Sequence, residues 1–144
     1  HLSRGAKVYA QMFGPLNYSF TFHGVKFVMW DNTEWESERE PDYQWLTETI
    51  EAAKDPDAGS GPYHHIIPFS HIPPFDGQFK KNRDRFHDLL LKNNITVSVH
   101  GHKHEFSYAT YRDLKFVTVG SPQKRNYASL TITPEEIKIS KIEY

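Results

Sequence analysis

Val97-Ser98-Val99-His100-Gly101-His102-Lys103-His104 is the stretch on which the reading of this chain turns. A run with β-branched residues stops at a glycine, and histidines follow at positions i and i+2. Upstream, a second apolar run, Ile66-Ile67-Pro68-Phe69-Ser70, ends on His71, with Pro73-Pro74 just beyond. Strands of an open α/β sheet present ligand groups at their carboxyl ends. Two buried strands that each end in imidazole therefore describe one edge of a metal site. No carboxylate motif that would complete such a site precedes these histidines.

Working outward, Tyr18-Ser19-Phe20-Thr21-Phe22 alternates aromatic and polar residues, and Val25 to Trp30 reads as a more buried strand. His23-Gly24 between them predicts a tight hairpin. Glu34 to Glu40 is acidic and reads as a solvated loop. Trp45, Leu46, Thr49, Ile50 and Ala53 recur on one face, which predicts an amphipathic helix over 42–53 with Pro41 and Asp42 at its start. Loop-forming residues fill Asp55 to Pro62, a strand follows over His64 to Ser70, and Pro73 to Gln78 is another loop. Phe86, Leu89, Leu90 and Asn93 mark a second helix over 81–93, ahead of a strand over Ile95 to His100. Two hairpins close the chain: Phe106–Tyr111 with Lys115–Val119, and Ala128–Ile132 with Ile137–Ile142. The alternation of strands and helices predicts an α/β layer. The terminal run predicts a second, antiparallel sheet packed beside it, so the fold class is α/β with α+β layering.

The 144 residues form one domain, and 38% hydrophobic and 15% aromatic content is enough for a packed core rather than a disordered chain. A net charge of −1 gives no ground for a nucleic-acid or anionic-membrane surface. No apolar run reaches the roughly 18 residues of a membrane span. The chain has no initiating Met, and His1 reads as an internal start. Cysteine is absent, which removes thiolate ligands, disulfides and cysteine nucleophiles. A transition-metal site here would use His, Asp, Glu or Asn, a donor set suited to Zn, Mn or Fe. Zero cysteine fits the cytoplasm and a secreted protein equally, so location stays open.

Among the nine histidines, His71, His102 and His104 carry the metal reading. On an extended strand, residues i and i+2 project to one side; at a strand-to-loop junction His102 and His104 can converge on neighbouring positions, and Gly101 lets the backbone turn and approach closely. A surface loop that merely contains histidines is the plainer alternative, and a loop or cap residue is the plainer reading of His71. His100 reads as structural, His64 and His65 as solvent-facing, and His1, His23 and His87 as without a role. Lys103 should point away from its neighbours, and Lys124 and Arg125 read as a solvated loop. Ser70, Ser121 and Asp31 could be imagined as a nucleophilic triad, but no Gly-x-Ser-x-Gly, phosphate loop or dinucleotide fingerprint supports one.

The blocks Phe69-Ser70-His71-Ile72-Pro73 and Gly101-His102-Lys103-His104 resemble the last two motifs of the calcineurin-like metallophosphoesterases. Phe13 to Phe20, the strand Phe27 to Asn32 that ends near an Asp, and Val117-Thr118-Val119-Gly120-Ser121-Pro122 look like surrounding segments of that family. The resemblance covers the chain, but only the C-terminal half of the family's domain. The earlier motifs, Asp-x-His, Gly-Asp-x-x-Asp and Gly-Asn-His-Asp/Glu, are not in this sequence.

That resemblance implies the C-terminal half of a metallophosphoesterase β-sandwich flanked by helices. It implies two divalent metal ions (Mn, Fe or Zn) in the complete domain, with His71 and His102 on one and His104 on the other. It implies a phosphate ester substrate, with the catalytic group unidentified in this chain. Two adjacent divalent ions polarise phosphoryl oxygens and hold a hydroxide for in-line attack. With three imidazoles and no bridging carboxylate, metal binding by this chain alone should be weak. The missing half of the domain, or self-association of the exposed sheet edges, is the implied partner. A non-catalytic binding or scaffold module that keeps the fold is the rival reading.

Overall fold

The computed structural model describes residues 5–55, 63–79 and 82–144, apart from the side chain of residue 36. Strand β1 (Tyr18–Phe22) and strand β2 (Val25–Met29) form the expected antiparallel hairpin. Its two turn residues, His23 and Gly24, both have positive φ, 46° and 74°, the left-handed geometry that matches the twist of the flanking strands. β2 pairs in parallel with β3 (His65–Ser70), β3 with β4 (Val97–His100), and β4 with β6 (Leu114–Thr118). β5 (Ser107–Tyr111) lies outside β6, antiparallel to it, so the six-stranded order is β1-β2-β3-β4-β6-β5. Parallel neighbours require crossovers. The helices described below, between β2 and β3 and between β3 and β4, supply two of them.

Helix α1 (Gly5–Phe13) precedes the sheet, α2 (Glu34–Ser37) and α3 (Tyr43–Ala52) follow β2, and α4 (Arg83–Lys92) follows β3. The 42–53 expectation is met: Asp42 is the N-cap, its carboxylate accepting the Trp45 N–H at 2.9 Å. Leu46 and Ile50 are fully buried. The 81–93 expectation becomes α4 over Arg83–Lys92, with residues 80 and 81 outside the described residues. Part of the expected loop, 56–62, lies outside them as well.

Each face of the sheet has its own core. Val28 and Trp30 meet Leu46, Ile50, Phe86, Leu90 and Phe116 on the helix side. Val25, Ile67, Val97, Val99 and Val117 face the other way. There they meet Ala128, Leu130, Ile132 and Ile139 from a hairpin of β7 (Asn126–Ile132) and β8 (Ile137–Glu143). Mixed α/β layering is therefore present: helices, a mixed six-stranded sheet, and a two-stranded sheet. All of β4 is buried, as a central strand with parallel neighbours on both sides should be.

Two expectations need correction, and one helix was not expected. The second antiparallel sheet contains only β7 and β8, because β6 finds a parallel partner in β4 and carries β5 into the first sheet. Glu34 to Glu40 is not all loop. The Asp31 carboxylate accepts the Thr33 N–H, Ser37 N–H bonds the Thr33 carbonyl at 2.9 Å, and a short helix forms before Glu38 turns left-handed. Helix α1 has no counterpart in the sequence reading. Only Ala6 of it is buried, and Val8, Met12 and Phe13 are exposed, so no complete amphipathic stripe announced it.

Candidate metal centre

β3 and β4 are parallel neighbours, with Phe69 opposite Val99 and Ser70 opposite His100. Their carboxyl ends therefore emerge side by side, which brings His71 and His102 together. His71 Nε2 lies 3.3 Å from His102 Nδ1, with ring centroids 5.1 Å apart and planes at 77°. Two nitrogens, each about 2.0–2.1 Å from a tetrahedral ion, would stand roughly 3.3–3.4 Å apart. The pair thus fits two ligand positions of one metal. The Gly101 N–H donates to the His71 carbonyl at 3.0 Å and ties the two loops at their base.

His102 and His104 lie beyond the strand, at its junction with the loop. β4 ends at His100, and both later histidines have left-handed backbones, φ 71° and 55°. The Lys103 N–H bonds the Gly101 carbonyl at 2.9 Å across His102, so His102 is the central residue of a γ-turn with positive φ, the rare and strained hand. Gly101, expected to absorb the turn, does not have positive φ; a Cβ there would meet the His71 ring at an ordinary 3.5 Å. Backbone strain placed on a histidine at a sheet's carboxyl edge is the kind of outlier that motivates a functional reading.

His104 is exposed. Its charge nevertheless reaches His71, whose pKa is held below the ordinary imidazole value by burial first, and then by His102 and His104, with Asp31 pulling the other way. Among the described residues no three His, Asp or Glu side chains are grouped so as to hold a metal ion. The fit to a metal is therefore the His71–His102 pair, with His104 beside it. Neutral, solvent-poor imidazoles are the form a cation needs.

Sequence reasoning missed Asp76, which it placed in a plain loop. Asp76 is buried, its Oδ2 lies 4.0 Å from His102 Nε2, and it is ion-paired with Lys103. Burial alone would raise its pKa, but the Lys103 hydrogen bond, the Gln78 N–H and the Lys103 charge hold it below the usual carboxylate value. The side chain of Gln78 also reaches His102 Nε2, at 3.2 Å. A carboxylate behind the outward ring nitrogen is the usual support of a metal-bound histidine. The only sequence signal was an Asp followed by Gly77 in a Pro-rich turn. Lys103, expected to point away from the histidines to a surface role, is half exposed and neutralises this carboxylate.

His100 is structural, as expected. It is 2% exposed, with Nδ1 3.0 Å from Ser70 Oγ and Nε2 2.7 Å from Ser98 Oγ. Burial pushes its pKa down to about 3. Ser121 accepts the Gln123 N–H as the cap of a 3₁₀ turn, which binds it to a local role rather than to a triad. His87, read as without a role, is buried against Tyr111 with ring centroids 4.7 Å apart. Lys124 pairs with Glu105 at 3.3 Å. Beside His71 opens a cavity of about 670 Å³, lined by Asp31, Ser70 and Gly101 and by the apolar Tyr9, Met29 and Phe69.

No protein-family model matches the chain, and no curated protein matches it. Among solved structures, the chain is similar to GAP50, the anchor in the inner membrane complex of Plasmodium, with a TM-score of 0.51 at 15% identity over 73% of this chain. A weaker likeness is to a Thermotoga maritima protein solved by solution NMR, with a TM-score of 0.40 at 14% identity over 95% of this chain. The chain spans 36% of the first and 58% of the second. At this identity the first likeness speaks for the fold alone. No helix among the described residues is long and apolar enough to cross a membrane.

Proposed function

We propose that this chain is the C-terminal part of a two-metal phosphoesterase domain of the calcineurin-like kind, with His71 and His102 on one divalent ion and His104 toward the second. The observation that carries the reading is the pair of imidazole nitrogens 3.3 Å apart at the carboxyl ends of adjacent parallel strands. When bound, Mn, Fe or Zn would supply a Lewis acid for the phosphoryl oxygens and an ionised water. This chain's contribution is to favour the uncharged form of the His71 imidazole through burial and to aim the outward nitrogen of His102 at Asp76. The bridging carboxylate and the remaining ligands belong to motifs outside this sequence.

The test is hydrolysis of p-nitrophenyl phosphate and its diester with Mn²⁺ by the full-length protein and its His102→Ala variant. Loss of turnover by two or more orders of magnitude, with an unchanged circular dichroism spectrum, is expected. Full activity in the variant would sink the assignment.

Two observations favour a second reading, a non-catalytic module. The described residues hold no three-ligand group, and the Plasmodium protein of similar fold is named as an anchor. On that reading neither the parent protein nor this chain takes up a divalent ion, and His71→Ala and His102→Ala change nothing but local packing.

A further inference from the structure

The loop that carries His71 is held from one side by a single buried side chain. Asn32, in the loop three residues beyond β2, is 3% exposed. Its Oδ1 accepts the Ile72 N–H at 2.9 Å, and its Nδ2 donates to the Ile72 carbonyl at 2.8 Å and to Ser70 Oγ at 3.3 Å. The amide orientation is fixed by these partners, because a flip would set N–H against N–H and oxygen against carbonyl. Ser70 and Ile72 flank His71, so Asn32 closes a bracket around it. The far side is held by β4: Gly101 N–H donates to the His71 carbonyl, and His100 Nδ1 meets Ser70 Oγ. The His71 backbone therefore has anchors on both neighbours and on its own carbonyl, which fixes the position from which its ring projects toward His102.

We infer that Asn32 is a positioning residue for His71: by pairing with the backbone of Ile72 and the hydroxyl of Ser70, it aims the His71 imidazole at His102. The functional meaning of this role rests on His71 being a metal ligand, as proposed above, but the positioning itself can be read without metal. Asn32→Ala would leave the Ile72 peptide groups buried without partners. Asn32→Asp keeps the shape and an acceptor for the Ile72 N–H but loses both donated bonds.

The experiment is NMR of the metal-free chain, following the ring-to-ring proton contact between His71 and His102, together with Zn²⁺ titration by calorimetry. Leu90→Ala, a fully buried core site on α4, is the control for general loss of stability. The wild-type chain and Leu90→Ala should show the ring contact. Asn32→Ala and Asn32→Asp should lose it and bind Zn²⁺ at least about tenfold more weakly, the usual cost of removing support behind a ligand. If Asn32→Ala does not fold, Asn32→Asp decides. Retention of the ring contact in the Asn32 variants, or its equal loss in Leu90→Ala, would overturn the inference. If the wild-type chain takes up no Zn²⁺, the metal assignment falls by itself, and the ring contact alone then decides whether Asn32 positions His71.

Discussion

His100 contributes to the pH response of the fold. In the folded chain it is enclosed by Ser70, Ser98, Phe86 and Phe116, and burial keeps it neutral down to about pH 3. The unfolded chain accepts that proton near pH 6.5. Between those values the unfolded state binds more protons at this site, so the His100 contribution to stability is complete above pH 6.5 and is lost as pH drops toward 3. His71, also shifted down, adds to the same trend. Urea unfolding at a series of pH values should show His100→Gln losing up to about 1.4 kcal/mol per pH unit of this slope. An unchanged slope would mean that His100 is not the responsible group. His71 and His102 could be found in the sequence because their spacing after apolar strands is chemical information. Asp76 and Asn32 could not, because each is a polar loop residue whose partner lies far along the chain and is set only by folding.

At the scale of elements, α3 and the hairpins follow local rules that a sequence displays. The Asp42 cap and the buried pair Leu46 and Ile50 define α3 from both ends of the argument. Asp42→Ala should remove about 1 kcal/mol through the lost cap, seen as a drop of several degrees in thermal unfolding, while Gln44→Ala on the exposed face changes little. Equal effects from the two would place the stability of α3 elsewhere. Turns with positive φ at His23-Gly24 and Arg112-Asp113 close both hairpins of the main sheet, yet only the first contains glycine. The placement of β5 and β6 was not legible. A hairpin's own alternation says that its strands pair, and is silent on which sheet edge accepts them. Here β4 offered a parallel edge for Leu114 to Thr118, and the register Val99 to Val117 aligns the apolar sets of the two strands on one face.

Across the whole molecule, the sheet is covered unevenly. Helices α3 and α4 bury one face, and the two-stranded β7–β8 sheet lies on the other. Phe20 and Phe22 of the edge strand β1 remain 47% and 63% exposed, with Phe20 stacked on Phe27 at 4.9 Å. Among the described residues no strand pairs with the outer edge of β1, and such an edge can accept a further strand. The central claim is that folding brings His71 and His102 onto one metal ion. Its most direct test is calorimetric titration of this chain with Zn²⁺ and Mn²⁺, beside His71→Ala and His102→Ala. The account predicts weak one-site binding by the wild type, lost in both variants, with the His102 ring signals shifting on metal addition. No binding by the wild type, or binding that both variants retain, would contradict it.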